Sequence, residues 1–529
     1  MGDRGNGGSA PRGGGRGGGG GRGSGAAGGS GGRGQGAGGS GERRGTAGGG
    51  RRQGASGGRD RRPPKPVHDE ARNTAYDLLR AVDERDAYAN LLMPALLRER
   101  GLSGRDAGLA TELAYGTLRG LGTYDEIIAA CSDRAPEDLD PPLLDAVRLG
   151  VHQLLKTRVP PHAAVGTTVD LVRLRVGIGP SKYANAVLRK VSTRSLEQWI
   201  PIVAPDPADD PIGHLAVAHS HPRWIVTALR DAVGGDFAET AALLAADNER
   251  PRVTLVARPG RTSVEELLDS GAQPAEFSPY AAYLPEGDPG AIPAVAESRA
   301  AVQDEASQLV ALALTRVPVT GGDARWLDMC AGPGGKAGLL DALATHGDVA
   351  ARSTRDGAAA RPEPFPGGAR LLAAELQHHR ARLVWQTTRK AGVITADGTV
   401  PAWRPGAFDR VMVDAPCTGL GALRRRPESR WRRDPRSLPE LGGLQRALLA
   451  SALDAVRPGG VVAYVTCSPH LAETVTVVGD VLRDRDDAEA LDARPYLPEV
   501  KDLGDGPYAQ FWPHRHGTDA MFLALLRRR

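Results

Sequence analysis

Four cysteines in 529 residues are too few for a disulfide scaffold and point to a reducing compartment. No apolar run approaches the roughly 18 residues that span a bilayer, so no membrane helix is expected. The amino terminus has charges but no apolar stretch of the kind that marks a secretory signal, and a cytoplasmic location is expected. Closely spaced cysteine pairs are also missing: Cys330, Cys417 and Cys467 stand 87 and 50 residues apart, which makes zinc a weak reading, and no metal is expected. Residues 1–66 lack Leu, Ile, Phe, Trp and Tyr, so they have nothing to bury against the entropy of ordering and are expected to be disordered. Their glycines keep no period of three, which excludes collagen.

What the chain does contain is unevenly placed. Thirty of its 70 glycines fall in residues 1–60. Twelve Arg and one Lys against two Asp and one Glu give residues 1–65 a net charge of +10; the whole chain is +4, so the remainder carries −6. The basic character belongs to the tail. Arg12-Gly13-Gly14 and Arg16-Gly17-Gly18 resemble the RGG repeats of RNA-binding tails, which attract phosphates without reading sequence; a plain soluble linker is the alternative.

The length favours two or three domains. Beyond Pro63-Pro64-Lys65-Pro66, apolar residues recur at three- and four-residue steps (Ala71, Ala75, Leu78, Leu79, Val82; Leu144, Val147, Val151, Leu154, Leu155), so residues 67–195 read as an all-α domain. Residues 196–300 mix a helix near Pro222–Val233, a strand at Arg252–Arg258 and a helix at Val264–Leu268, a small α/β segment. From 301 to 529, strands at Trp326–Met329, Leu371–Ala374, Val393–Ala396, Val411–Val413 and Val461–Thr466 alternate with helices at Lys336–Ala344, Gln377–Trp385 and Leu441–Val456. That alternation predicts a mostly parallel, doubly wound α/β sheet of the Rossmann-like kind, with residues 352–368 as a surface insertion.

Three features of this last region could carry chemistry. The first strand runs into Cys330-Ala331-Gly332-Pro333-Gly334-Gly335-Lys336, small residues that let the backbone turn sharply against a ligand at a helix start. It lacks the spacing of an ATP-binding P-loop, and of a dinucleotide G-x-G-x-x-G turn. Glu375, Asp397 and Asp414 follow successive strands; each alone suits a cap or turn, but beside the glycine-rich loop they outline a ligand crevice. Cys330, Cys417 and Cys467 also end strands, where open α/β sheets bind ligands, whereas Cys131 lies between apolar helical residues and reads as a core thiol.

Asp414-Ala-Pro-Cys417-Thr-Gly419 and Val465-Thr-Cys467-Ser468, together with the Cys330–Lys336 loop, resemble the signature set of the RNA cytosine-C5 methyltransferases. Glu112-Leu-Ala-Tyr115-Gly116 and Asn185-Ala-Val-Leu188-Arg189-Lys190 resemble the antitermination factor NusB. The combination, with Val302-Gln-Asp304 and His516-Gly-Thr-Asp519, is similar to the RsmB (Sun/Fmu) family, which methylates a cytosine of bacterial 16S rRNA. Ala337 departs from the Thr usual in that family's loop.

The resemblance implies S-adenosyl-L-methionine as cofactor, 16S rRNA as partner, Cys467 as nucleophile, and Cys417 assisting proton removal or product release. It further implies that residues 330–336 cradle the methionine part, Glu375 the ribose and Asp397 the adenine, with Asp414 at the junction of cofactor and base. Lys336 would orient cofactor or RNA, or be a solvated lysine. The run Arg424-Arg425-Arg426 and Arg430-Trp431-Arg432-Arg433, just beyond the Cys417 loop, is expected to meet RNA. A monomer is expected. Competing readings are a sister enzyme acting on tRNA, a non-enzymatic NusB-like RNA-binding or antitermination factor, and, more distantly, a nicotinamide dehydrogenase.

Overall fold

The protein is described from a computed structural model covering residues 69–348 and 365–529. The Gly/Arg-rich tail and most of the 352–368 insertion lie outside the described residues.

The helical periodicity after the tail becomes six helices: α1 Glu70–Arg85, α2 Ala89–Glu99, α3 Gly104–Cys131, α4 Pro141–Lys156, α5 Pro161–Arg175 and α6 Ile178–Val191. Asp69 starts α1 by accepting a hydrogen bond from Arg72 N–H at 3.0 Å. The apolar stripe of α1 (Ala71, Ala75, Leu78, Leu79, Val82) is buried, as are Val147 and Val151 of α4. Leu154 and Leu155 are half-buried at the margin of the same core. Cys131 packs in this core, and burial pushes its thiol pKa up, as a structural cysteine requires.

Residues 196–300 hold more helix than their sequence suggested: Leu196–Val203, Pro211–Ala218, Arg223–Ala232 and Phe237–Ala246 precede the strands. Strands β1 Val253–Ala257, β2 Gln273–Pro274, β3 Ala281–Leu284 and β4 Ala300–Val302 form an antiparallel sheet in the order β2-β3-β1-β4, with helix Val264–Asp269 between the first two.

The large sheet contains β5 Arg325–Asp328, β6 Arg370–Glu375, β7 Gly392–Thr395, β8 Phe408–Asp414, β9 Val456–Thr466, β10 Ala488–Leu491, β11 Ala509–Gln510 and β12 Phe522–Arg528. Its order is β10-β12-β9-β8-β5-β6-β7, with β11 beside β12. Strands β5 to β9 pair in parallel, whereas β10, β11 and β12 are antiparallel, so the sheet is mixed. The antiparallel strands are absent from the sequence expectation. Phe522–Leu526 is a continuous apolar run because β12 is covered on both faces, and such a run carries no alternation to mark it as a strand.

Side chains alternate across the sheet with period two. Val461, Ala463 and Val465 of β9 face a core shared with helices Glu305–Arg316 and Gly335–His346. Val462 and Tyr464 face the opposite core, built on Leu438–Ala455 and Val475–Arg483. Each large apolar side chain fully buried there contributes about 1.5–3 kcal/mol before its ordering entropy is counted. The chain leaves β5 toward β6 and β7, then crosses back to β8, so the winding reverses between β5 and β8. That switch opens a crevice at the carboxyl ends of these strands.

Candidate active site

The crevice floor is the turn after β5. An added Cβ at Gly332 would lie 2.2 Å from Glu375 Oε2, and Gly334, at φ 114°, would meet Thr387 Oγ1 at 2.3 Å, so side chains are excluded by space and by backbone conformation. Gly332 N–H donates to Glu375 Oε2 at 3.0 Å, and Gln377 N–H donates to Oε1 at 3.1 Å. Arg380, which the sequence did not single out, closes the same turn by donating to Gly332 C=O at 2.7 Å. The turn feeds the helix Gly335–His346, and Ala337 is fully buried beneath it.

Asp328 is the second residue missed by sequence reasoning. It ends β5 fully buried, with no hydrogen-bond partner on either carboxylate oxygen. Burial, reinforced by the neighbouring Asp414 charge, raises its pKa to about 7. The Cys330 thiol is likewise pushed well up, first by burial and then by the surrounding carboxylates. Asp397, by contrast, is an exposed turn residue that accepts from Thr399 N–H at 2.8 Å and Oγ1–H at 2.7 Å, which lowers its pKa.

Strands β8 and β9, neighbours in the sheet, each deliver a cysteine. Cys417 Sγ and Cys467 Sγ lie 3.4 Å apart, both half-buried. Their surroundings separate them chemically. The hydrogen bond from Cys417 lowers the pKa of Cys467, and the positive charges of Lys336 and Arg426 add to this against the opposing effects of burial and Asp414. Cys417 is pushed the other way by that same hydrogen bond, by burial, and by Glu473 and Asp414. These influences bias Cys467 toward the thiolate and Cys417 toward the thiol. Lys336 Nζ donates to Asp414 Oδ2 at 2.9 Å; burial disfavours its charge, but Asp414 and Cys467 outweigh this and raise its pKa.

Glu473, the third missed residue, is fully buried behind the two cysteines. It follows the Cys467 motif by six positions in a short 3-10 turn (Leu471–Glu473), and its sequence context resembles an ordinary surface glutamate.

The structure ties part of the basic run beyond Cys417 to the protein itself. Arg424 and Arg425 form ion pairs with Asp304 and Asp519, joining the Gln303-Asp304 and His516–Asp519 motifs to the Cys417 loop. Arg430 is fully buried and donates to Asn248 Oδ1 at 2.8 Å and Ser220 C=O at 3.0 Å. Arg432 donates to Val82 C=O at 2.7 Å and Ala87 C=O at 2.9 Å at the end of α1. These four arginines hold segments of the protein together. Arg426 is the exposed member of the first triplet, with its guanidinium 5.6 Å from the Tyr88 ring centre.

Among the described residues, no group of three or more His, Cys, Asp or Glu is arranged to hold a metal ion, and no helix is long and apolar enough to cross a membrane.

Comparisons with known proteins agree with this architecture. The family description "16S rRNA methyltransferase RsmB/F" matches residues 365–527, and that of the NusB family matches residues 69–193. A putative methyltransferase of Mycobacterium tuberculosis is 52% identical over 89% of this chain and 99% of its own length. The probable ribosomal RNA small subunit methyltransferase B of Synechocystis sp. is 31% identical over 87% of this chain and 99% of its own. The solved structure of PH0851 shares the fold, with TM-score 0.68 at 20% identity over 87% of this chain and 99% of that one. With its NusB-family helices ahead of a Rossmann-like sheet, and relatives that match it nearly end to end, the chain belongs to the RsmB/F family of 16S rRNA methyltransferases.

Proposed function

We propose that this protein transfers a methyl group from S-adenosylmethionine to C5 of a cytosine in 16S rRNA, through a transient bond between Cys467 Sγ and cytosine C6, in the cytoplasm. The observation that carries the reading is the cysteine pair: two sulfurs 3.4 Å apart beside a glycine turn, one biased toward thiolate and the other toward thiol.

The residues around the turn fit the cofactor. An added Cβ at Gly335 would have no neighbour nearer than 4.0 Å, so the helix start faces open space. Asp328 offers a buried, unpartnered carboxylate, and Asp414 and Glu375 add two more acids, a setting suited to a cationic sulfonium. In this reading Cys330, Ala331, Gly332, Pro333, Gly334, Gly335 and Lys336 cradle the methionine part, and Glu375 holds the ribose. Asp397 lies toward the adenine and Asp414 between cofactor and base. When bound, S-adenosylmethionine supplies the methyl group.

The protein's own part is to activate C5. Cytosine C5 is a poor nucleophile, and addition of the Cys467 thiolate at C6 turns the ring into an enamine whose C5 is nucleophilic. Thiolate suits the step because it both attacks and leaves well. Lys336 and Arg426 favour the anion at Cys467, while Cys417 assists removal of the C5 proton or release of the product. A paired base is out of reach, so the target cytosine is single-stranded or flipped out. Residues 301–529 are assigned to catalysis and residues 67–195 to binding RNA, with residues 196–300 as a linker subdomain between them and the chain acting as a monomer.

The test compares Cys467→Ala with Cys417→Ala on 16S rRNA with labelled cofactor. Cys467→Ala is expected to transfer no methyl, and Cys417→Ala to accumulate a covalent protein–RNA adduct on denaturing gels. Normal turnover by Cys467→Ala rejects the reading.

A further inference from the structure

Thr418 and Ser468 each follow one of the paired cysteines, and a single buried side chain holds both. Glu473 Oε1 accepts from Thr418 N–H at 2.7 Å and from Gln445 Nε2–H at 3.2 Å. Glu473 Oε2 accepts from Ser468 Oγ–H at 2.6 Å and from the Thr418 hydroxyl. The Thr418 and Ser468 hydroxyls also touch each other at 3.1 Å. Gln445 uses the same amide to hold Pro416 C=O at 2.8 Å, so both sides of Cys417 are tied to this centre. Across the pair, Gly421 N–H donates to Cys467 C=O at 2.9 Å.

Four donors converging on one buried carboxyl satisfy an anion, whose charge-assisted hydrogen bonds are shorter and stronger than neutral ones. The strands alone do not place the sulfurs, because both cysteines lie past the strand ends, in loops whose direction the ladder no longer controls.

We propose that Glu473 is a positioning residue for methyl transfer: its carboxylate clamps the residues that follow Cys417 and Cys467, and so sets how the two sulfurs face each other. The inference rests on the two-cysteine reading above. The clamp has an electrostatic consequence too. The charged groups facing the pair are Lys336, Arg426, Asp414 and Glu473; the first two favour a thiolate at Cys467, and Glu473 helps keep the proton on Cys417. One side chain thereby fixes a distance and helps decide which sulfur is anionic.

The experiment uses the full-length chain and two readouts, the second needing neither RNA nor cofactor. Methyl transfer to 16S rRNA is followed at varied cofactor concentration. Alkylation by iodoacetamide at Cys417 and Cys467 is followed against pH by peptide mass spectrometry. For Glu473→Gln, kcat is expected to fall about 10- to 100-fold with little change in KM for the cofactor, as for a misplacement of reacting groups by about an ångström. The alkylation midpoint of Cys417 is expected to move down by about one pH unit, toward that of Cys467. Glu473→Asp, which keeps the charge, is expected to restore the separation of the two midpoints in part.

Native turnover by Glu473→Gln overturns the proposal, as does a loss of turnover with the two alkylation profiles unmoved, since the residue would then be only structural. If Glu473→Gln does not fold, the double variant Thr418→Val, Ser468→Ala removes the hydroxyl donors instead; reduced kcat with a shifted Cys417 alkylation profile supports the clamp, and native kcat, or reduced kcat with both profiles unmoved, overturns it. Failure of the underlying reading looks different: Cys467→Ala would still transfer methyl, whatever Glu473 does to the alkylation profiles.

Discussion

At the amino-terminal rim of the large sheet the buried Arg410 and Asp409 are each met by an opposite charge, whereas at the carboxyl-terminal rim Asp328 and the paired thiols are left partly unmatched. On the first rim, Arg410 of β8 is held by Asp323 at 2.6 and 3.0 Å and by Val317 C=O at 2.8 Å. Asp409 accepts from the N–H groups of Ala324 and Arg325, each at 2.9 Å, and from Arg457 at 2.6 Å. On the second rim, Asp328 is buried with neither oxygen hydrogen-bonded, and the Cys417–Cys467 pair shares one hydrogen bond between two ionisable groups. The strands are the same; what differs is whether the ends were closed for stability or kept open for a ligand.

Substitutions at the two rims test the difference. The largest effect is expected on the open rim, where Cys467→Ala should abolish methyl transfer while leaving urea unfolding close to native. On the closed rim, Arg410→Ala should destabilise by about 3–5 kcal/mol in urea unfolding, because it takes the cation from Asp323, leaving only the Trp326 N–H on that carboxylate, and the donor from the Leu314 and Val317 carbonyls. Specific activity per folded molecule should change little. If Arg410→Ala unfolds at the native urea concentration, the two rims do not differ as described.

Asp328→Asn reads the contrast through pH. A carboxyl whose folded pKa is raised from the usual ~4 to about 7 binds protons more tightly folded than unfolded. It therefore costs stability progressively as pH rises from ~4 to ~7, and the full cost persists above that. The Asn variant should melt at higher temperature than the native protein at pH 8, and at nearly the same temperature at pH 4.5. An equal difference at both pH values would show that the carboxyl does not titrate in this window. The smallest effect is expected from deleting residues 1–62, whose net positive charge should strengthen RNA binding mainly at low salt. Equal affinity with and without the tail at low salt would favour the linker reading.

The readable parts of the sequence were those whose signal is local. Ala71, Ala75, Leu78, Leu79 and Val82 form the buried stripe of α1 because a stripe is a property of one helix. Strands β5 to β9 were legible because apolar runs alternated with helices, and the cysteines stood out because the rest of the chain has so few. The unreadable parts depended on distant partners. Asp328 ends the strand that leads into a loop read for its glycines. Glu473 and Arg380 become distinctive only through what they touch, and nothing in Arg424-Arg425-Arg426 distinguishes a residue paired with Asp304 and Asp519 from one facing solvent.

Local signals were enough for the helices of residues 70–191, strands β5 to β9, the glycine turn and the two cysteines at strand ends, because periodicity, small residues and rare residues act over a few positions. Tertiary structure decided the 3.4 Å between those cysteines, the direction of their proton asymmetry and the fate of the arginine run. Those outcomes are set by Coulomb interactions and hydrogen bonds between residues 50 to more than 200 positions apart, such as Cys417 with Cys467 and Arg430 with Ser220, and only folding brings such pairs into range.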